Sequence, residues 1–300
     1  MPNEPDWVDR VAHIRAWSRN GIRAPHKPLL LLYALGRLQR SGVNVPLRFT
    51  EAEGPLGQLL ADFGPPTRTN AGYPFHHLTS DGLWVVTTDA GEASPGSHLG
   101  ALRASGAKGQ LAPGFAAALI ADPPLLVRIA RGLLDANFPQ TLHDDVVDQI
   151  GLDLSGAMEA TGVTPRRRRS PEFRDTVLMA YELRCAICGW DGRLGAEAVG
   201  LEAAHVRWFN IGGPDSIDNG LCLCSMHHKL LDKGVIGITH ERTVAVSARF
   251  VGIGPVAEQL VLSQLGKAIS EPLAGIPAPA QEHIDWHTAE VFRIPARHVA

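Results

Sequence analysis

Apolar residues recur at helical spacing through most of the first 150 residues. A stripe that starts at Trp7 and Val11 predicts an amphipathic helix over residues 6–20, because positions three and four apart share one face of a helix. Thr50 and Glu53 have the spacing of a capping box, which predicts that another helix begins there. The same periodicity predicts helices over residues 6–20, 29–40, 50–63, 113–121, 123–136 and 140–150.

Two short apolar runs interrupt this helical pattern. Residues 73–78 and 83–87 alternate between apolar and polar positions, and the segment between them contains the pair Asp81-Gly82. Alternation on both sides of an Asp-Gly turn predicts a β-hairpin. Residues 89–112 are rich in small residues and yield no assignment.

The second half combines both periodicities. The pattern predicts a helix over residues 171–184, a strand over 199–206, a loop over 207–218, a short strand over 221–223, a helix over 225–233 and a hairpin over 235–247. The last segment, residues 276–300, contains several prolines and is expected to wrap the surface. The chain is therefore predicted to belong to the α+β class.

A change in composition divides the chain near its middle. Residues 153–164 contain many small side chains, Pro165 follows, and residues 166–169 are all arginine. An arginine run of this kind either lies along DNA phosphates or serves only as a solubilising linker. We predict an N-terminal domain over residues 1–160, a basic linker over 161–170 and a second domain over 171–300.

Composition and charge narrow the class of protein. The 300 residues are 45% apolar and 20% charged, and the net charge is −3, so any polyanion must be bound by local basic patches. No apolar run reaches the roughly 18 residues of a membrane span, and the first residues lack the pattern of a signal peptide. We expect a cytoplasmic protein with no membrane partner.

Three cysteines and one histidine have the spacing of a structural zinc site. Cys185 and Cys188 form a C-x2-C pair, and Cys224 and His227 form a C-x2-H pair further along the chain. Each two-residue spacer brings two ligands together, and two such pairs complete a tetrahedron around Zn²⁺. The remaining cysteine, Cys222, is either a buried core thiol or a competing ligand.

The segment around these ligands resembles the HNH endonucleases, a family with a ββα-metal fold. The matching text is C-A-I-C at 185–188, E-A-A-H-V at 202–206, N-G-L-C-L-C at 219–224 and H-H-K at 227–229. The resemblance implies that His205 is the general base that takes a proton from the attacking water. It also implies that Asn219 orients His205 through the loop, and that His228 holds a catalytic divalent ion, Mg²⁺ or Mn²⁺.

Two details of this segment affect the metal sites. His227 and His228 are neighbours on a predicted helix and point about 100° apart, so one can face the zinc while the other faces the cleft. Many HNH enzymes carry Asp or His immediately before the base as a second metal ligand, whereas Ala204 stands at that position. Glu202, on the same face of the strand, is either a substitute ligand or a solvated carboxylate.

The first half resembles the sulfur-binding domain of McrA-type, modification-dependent HNH endonucleases. These are type IV restriction enzymes that recognise phosphorothioate-modified DNA. The matching text is R-A-P-H-K-P-L-L-L-L at 23–32, Y-P-F-H-H-L at 73–78 and D-G-L-W at 81–84. The resemblance implies that the sulfur cavity and adjoining base contacts are formed by His26, Lys27, Tyr73 and Pro74, with His77 at the cavity wall.

The residue types suit such a cavity. A non-bridging sulfur is larger, more polarisable and less hydrated than oxygen, so it should favour an apolar pocket with a cationic rim. Arg19 would contribute to that rim together with His26 and Lys27. The alternative is that Tyr73 and its apolar neighbours are simply the core of the predicted hairpin.

The combined prediction is a type IV restriction endonuclease. It would recognise phosphorothioated double-stranded DNA and hydrolyse nearby phosphodiester bonds, using structural Zn²⁺ and catalytic Mg²⁺ or Mn²⁺. Two alternatives stay open: an HNH enzyme that reads methylated or unmodified DNA, and a non-catalytic zinc-containing DNA-binding protein. A homodimer is one option because two strands need two cuts. No pattern in the sequence encodes the oligomeric state, the sequence context of the mark or the cleavage distance.

Overall fold

The computed structural model describes residues 6–14, 24–66, 69–154 and 171–298. Contacts between Cα atoms separate the chain into two units, Met1–Arg166 and Arg167–Ala300. The predicted arginine linker lies outside the described residues.

The longest described helix, α2 (His26–Ser41), lies at the centre of the N-terminal unit. Leu29, Leu32 and Leu35 are fully buried, because other elements enclose the leucine-rich part of this helix. This helix begins earlier than the predicted residue 29. The helices that pack against it are α3 (Phe49–Phe63), α4 (Gly72–His77), α7 (Pro123–Asn137) and α8 (His143–Ile150). Helices α1 (Trp7–Ala12) and α6 (Pro113–Ala121) pack on α7.

A small antiparallel sheet closes one side of this helical core. Its order is β1-β3-β2, formed by β1 (Leu47–Arg48), β2 (Trp84–Thr87) and β3 (Lys108–Leu111). Helix α5 (Leu99–Ala104) leads into β3, so the unassigned segment contains both a helix and a strand. Trp84 of β2 lies opposite Leu111 of β3.

The predicted hairpin over residues 73–87 is wrong in its first half. Residues 73–77 lie in α4, a short 3-10 turn over Leu78–Asp81 follows, and β2 pairs with β3 instead. Pro74 has no N–H to donate to a strand ladder, whereas a proline fits the first turn of a helix. Gly82 adopts φ +67° and ends the 3-10 turn rather than forming a hairpin loop.

Two predicted helix starts and ends also differ. Helix α3 begins at Phe49 without a side-chain cap, and Glu53 pairs with Arg103 instead of closing a capping box. Helix α1 ends at Ala12, and residues 15–20 of the predicted first helix lie outside the described part of the chain.

The C-terminal unit is built on a hairpin followed directly by a helix. Strands β6 (Leu201–His205) and β7 (Gly220–Cys224) pair antiparallel, and α10 (Ser225–Asp232) follows β7, which confirms the predicted strand, loop and helix order. Helix α9 (Pro171–Ala180) packs against both strands. A Cβ at Gly220 would overlap the side chain of Val177, so glycine permits this close packing.

Shorter elements complete this unit. Strands β4 (Arg193–Leu194) and β5 (Glu197–Ala198) pair, and β8 (Ile236–Ile238) pairs with β9 (Val244–Val246), which confirms the predicted second hairpin. Helix α11 (Pro255–Leu260) follows. The expectation that residues 276–300 only wrap the surface is wrong, because α12 (Gln281–Glu290) packs against β8 and buries Ile284 and Trp286. The α+β class is as predicted.

Within the described ranges, no helix combines the length and apolar character needed to cross a bilayer.

Candidate active site and metal centre

One cluster of side chains could hold a metal ion, since its ligand atoms all lie within 4.8 Å of one another. Its members are Cys185, Cys188, Cys224 and His227. His227 Nδ1 lies 3.1 Å from Cys224 Sγ and 3.6 Å from Cys185 Sγ. The Sγ atoms of Cys188 and Cys224 are 3.9 Å apart. Sulfur atoms about 2.3 Å from a zinc ion would be about 3.8 Å apart in a tetrahedron. The four donors therefore fit a closed tetrahedral metal site.

The surroundings of the cluster suit metal binding. His227 Nε2 donates to the carbonyl oxygen of Leu260 at 2.8 Å, which leaves Nδ1 as the nitrogen that faces the cysteines. Hydrogen bonds from Cys188 and then Cys224 lower the pKa of Cys185, and the bonds to Cys185 raise the pKa of the other two thiols, so one thiolate is favoured before a metal binds.

Cys222 takes no part in this cluster. It is fully buried on β7, opposite Ala203, and burial raises its pKa to about 12. Its environment is that of a core thiol, the first of the two alternatives that the sequence left open.

His205, at the end of β6, is held from two sides. Its ring stacks on that of Phe173 with centroids 4.2 Å apart and an interplanar angle of 15°. Its Nε2 donates to Asp215 Oδ1 at 2.7 Å. Sequence reasoning missed Asp215. Asp215 directly follows the turn Gly212-Gly213-Pro214 between His205 and Asn219, but its position in the sequence does not indicate that it contacts His205.

Asn219 ties together the two ends of the loop between β6 and β7. Its side chain is fully buried, and Oδ1 accepts from the backbone N–H of Arg207 at 2.8 Å. Its Nδ2 donates to the carbonyl oxygens of Arg207 at 2.9 Å and Pro214 at 3.0 Å. The backbone N–H of Val206 donates to the carbonyl oxygen of Asn219 at 2.9 Å. These bonds fix the backbone on both sides of the loop.

His228 lies beside acidic groups rather than in the cysteine cluster. Its Nδ1 is 2.5 Å from Glu202 Oε2, and its Nε2 is 3.3 Å from Asp232 Oδ2. The other oxygen of Glu202 accepts from the hydroxyl of Ser225 at 2.7 Å. Ala204, the position that departs from many HNH enzymes, is fully buried and offers no ligand. The two adjacent histidines thus lie in two different clusters.

Aromatic side chains meet in the N-terminal unit. The rings of Tyr73 and His77 have centroids 4.3 Å apart, and His26 meets Tyr73 edge-on at 5.9 Å. Tyr73 is exposed, whereas Pro74 is buried. The fold therefore brings the start of α2 and the residues of α4 together, while Arg19 lies outside the described residues.

Lys27 is engaged in a buried ion pair. Its Nζ lies 2.7 Å from Asp81 Oδ2, and the two side chains are only 10% and 5% exposed. The sequence placed this ammonium group on a cationic rim, but its charge is already paired with a carboxylate. Burial, followed by the nearby charges of His76 and Lys27, lowers the pKa of His77, which favours its neutral form.

Two protein families match this chain. Residues 4–155 match the ScoMcrA-like DNA sulfur-binding domain, and residues 185–239 match the HNH endonuclease family. The first match spans half of the chain. The protein belongs to the ScoMcrA-like DNA sulfur-binding domain family, and its second half carries an HNH endonuclease domain. Both resemblances seen in the sequence are confirmed.

Several solved structures are similar to parts of the chain. The sulfur binding domain of SprMcrA, complexed with phosphorothioated DNA, is 27% identical with a TM-score of 0.42, over 49% of this chain and 93% of that one. The sulfur binding domain of ScoMcrA, also complexed with phosphorothioated DNA, is 23% identical with a TM-score of 0.42, over 50% and 97%. The type IV phosphorothioation-dependent restriction endonuclease ScoMcrA is 20% identical with a TM-score of 0.41. That match covers 66% of this chain but only 41% of the ScoMcrA chain. No curated protein matches.

Proposed function

We propose that this protein is a phosphorothioate-dependent type IV restriction endonuclease. The N-terminal unit binds double-stranded DNA in which sulfur replaces a non-bridging phosphate oxygen, and the C-terminal unit hydrolyses a phosphodiester bond nearby. The observation that carries the proposal is the union of a DNA sulfur-binding domain and an HNH domain in one chain. A cytoplasmic location belongs to the proposal, because that is where such DNA would be encountered.

His205 is the general base in this proposal. A neutral imidazole is well suited to accept the proton of an attacking water molecule at physiological pH. Phe173 covers one face of the ring and Asp215 holds one nitrogen, so the imidazole has a fixed orientation. Asn219 acts on the loop backbone, since its polar atoms bond to Arg207 and Pro214.

Glu202 and His228 are the residues that would hold the catalytic ion. A carboxylate oxygen next to an imidazole nitrogen is a donor set that fits Mg²⁺ or, better, Mn²⁺. A divalent ion bound there would neutralise charge that develops on the scissile phosphate. We assign Nδ1 of His228 as the ligand atom, because Asp232 at Nε2 fixes the opposite side of the ring. Glu202 thereby substitutes for the ligand that Ala204 lacks.

Zinc in the Cys185, Cys188, Cys224 and His227 cluster is structural in this proposal. All four tetrahedral positions are taken by protein atoms, which leaves no open position for substrate or water. The four ligands would link the end of β7 and the start of α10, which carry Cys224 and His227, to the segment before β6, which carries Cys185 and Cys188.

Tyr73, Pro74, His77 and His26 form the proposed sulfur-recognition surface. Aromatic and pyrrolidine groups offer the apolar contact that a weakly hydrated sulfur favours, and Tyr73 is the exposed member. The charge of Lys27 is paired with Asp81, so Lys27 adds no net positive charge to this surface. The contribution of Arg19 to the cationic rim remains a prediction.

Cleavage of matched plasmids tests the proposal. We expect the protein with Mn²⁺ to cut phosphorothioated plasmid and to leave the unmodified plasmid intact. Equal cutting of both would overturn the recognition claim. Binding in EDTA to sulfur-modified, 5-methylcytosine and unmodified duplexes separates the remaining alternatives, since preference for the methylated duplex would identify a different mark.

Variants at Tyr73 test the recognition surface itself. Tyr73→Ala removes the exposed ring and should weaken binding to the modified duplex by about tenfold, a typical loss for one aromatic contact. Tyr73→Phe keeps the ring and loses only the hydroxyl, so it should retain the preference for sulfur. Equal binding by both variants would exclude the ring as the recognition element.

We also propose that two copies act on each modified site, because one HNH centre cuts one strand. Sedimentation with a short modified duplex tests this, and a complex of one chain per duplex that still cuts both strands would contradict it.

A further inference from the structure

We propose that Asp215 is a positioning residue that fixes the ring orientation and tautomer of His205. The inference rests on the proposed function, in which His205 takes the proton of the attacking water. It adds Asp215 to the set of His205, Asn219 and His228. It also explains how Asn219 can affect the orientation of His205 without contacting it.

The contact between the two side chains is direct and shielded. His205 Nε2 lies 2.7 Å from Asp215 Oδ1, and the side chains are 5% and 18% exposed. A carboxylate has no proton to donate, so Nε2 carries the hydrogen in this bond. The nitrogen that accepts the proton from water is then Nδ1.

Asp215 also suits the charge that the reaction creates. When Nδ1 takes a proton, the ring becomes an imidazolium ion, and a carboxylate at the opposite nitrogen stabilises it. This is the logic of the acid and histidine pair in serine hydrolases, where the acid orients the ring and stabilises its charged form. Phe173 on the ring face supplies no compensating charge.

The conformation of the loop between β6 and β7 places Asp215 beside His205. Gly212 adopts φ +82°, and a Cβ at Gly213 would overlap the backbone carbonyl of Arg207, so two glycines let the loop fold back on the end of β6. Asn219 Nδ2 then holds the carbonyl oxygen of Pro214, the residue next to Asp215.

Asn219 therefore acts on the base through a short chain of contacts. Its amide fixes Pro214, Pro214 places Asp215, and the carboxylate of Asp215 fixes His205. The side chain of Asn219 is fully buried and bonds only to backbone atoms. It can still influence the orientation of the His205 ring, because it fixes the backbone that places Asp215.

Steady-state cleavage of phosphorothioated plasmid by the full-length protein tests the inference. Asp215→Asn keeps the size but introduces an amide that can donate to Nε2, which favours the wrong tautomer. We expect kcat to fall by about 10- to 100-fold, a part of the 10²–10⁴ that a general base contributes. KM and the binding of modified DNA should stay unchanged. Asp215→Glu, which restores a carboxylate, should recover part of the loss.

The matched control is Asp218→Asn, the same change in the same loop. Asp218 bonds to Ser216 and has no bond to His205 in the structure, so this variant should cut at the wild-type rate. Wild-type kcat in Asp215→Asn, or equal loss in the Asn and Glu variants, would overturn the inference.

Imidazole ¹⁵N spectra of the full chain provide a readout that does not depend on cleavage. The His205 signals are identified by their loss in His205→Gln. We expect the Nε2-protonated tautomer in the wild type and a changed or mixed tautomer in Asp215→Asn; an unchanged tautomer would refute the pair. If the tautomer depends on Asp215 but the wild type cuts no DNA, the proposed function fails and the positioning role stands.

Discussion

The proposed nuclease site and the proposed sulfur-recognition surface hold their side chains in different ways. In the nuclease site, His205, Asn219 and His228 are each fixed by short, directional hydrogen bonds. In the recognition surface, Tyr73 and His77 meet through ring faces and edges. Proton transfer and metal binding need particular atoms at particular places, whereas a weakly hydrated sulfur needs an apolar contact surface. A substitution in one region should therefore change cleavage or recognition without changing the other.

Removal of zinc should have the largest effect and should be confined to one unit. Cys185→Ser breaks a closed four-ligand site, and structural zinc sites contribute apparent free energies of about 10 kcal/mol or more. We expect loss of bound zinc, loss of helical circular dichroism from the C-terminal unit and loss of cleavage. Binding of modified DNA should persist, as a gel shift would measure.

Cys222→Ser is the control for this variant, because Cys222 lies outside the cluster. It should keep one zinc per chain in elemental analysis. If Cys185→Ser also abolished binding of modified DNA, the expected independence of the two regions would be contradicted.

His228→Ala should leave both the fold and recognition intact. Removal of a catalytic metal ligand should reduce the cleavage rate by about 10³-fold or more, since the ion supplies several kcal/mol of charge stabilisation. Zinc content and affinity for modified DNA should match the wild type. Met226→Ala, at an exposed position of the same helix, should cut normally. Normal cutting by His228→Ala would remove this residue from the active site.

Asp81→Asn should destabilise the recognition unit rather than the nuclease unit. It leaves the Lys27 ammonium buried without its partner carboxylate, and breaking a buried ion pair costs about 3–5 kcal/mol. Thermal unfolding should show a lower transition for the N-terminal unit only. Asp89→Asn, at an exposed ion pair with Lys108, should change stability little. Equal losses of stability in the two variants would mean that the buried Lys27–Asp81 pair stabilises the unit no more than an exposed pair does.

The pH dependence of His77 should be the smallest effect. Burial and the charges of His76 and Lys27 lower its pKa, so between that lowered value and 6.5 the unfolded chain binds more protons than the folded one. Its contribution to stability is therefore unchanged above pH 6.5 and is lost as the pH falls through the folded pKa. An NMR titration should place the His77 pKa below 6.5, and His76→Gln should raise it. A wild-type value at or above 6.5 would contradict this environment.

Much of the proposed nuclease site could be assigned from the sequence because its parts are local. The proposed zinc ligands come in pairs with two-residue spacers, and His205, Asn219 and His228 lie on one strand, loop and helix. Asp215 and Asp232 were missed because a single acidic residue has no spacing signature. Only the fold brings each carboxylate to its histidine.

The recognition unit was harder to predict because its determinants are long-range. The alternation in residues 73–78 is typical of a strand, but the partner that β2 needs is β3, which lies beyond a helix. Lys27 looked like a surface cation, since nothing near it in the sequence indicates that Asp81 will neutralise it. The family resemblance therefore singled out Tyr73 and Lys27 as candidate residues. Neither the resemblance nor the local pattern predicted the contacts that these residues make.

The adjacency of His227 and His228 constrains any attempt to change the ion preference of this enzyme. Successive residues of α10 differ by about 100° around the helix axis, so a shift that reoriented His228 would also withdraw His227 from the cysteines. The helix is thus unsuitable for redesign. Glu202 belongs to β6, contacts His228 and lies outside the cysteine cluster. At the proposed catalytic ion site, variation at Glu202 is the route by which a laboratory selection could change the preferred divalent ion while the scaffold stays intact.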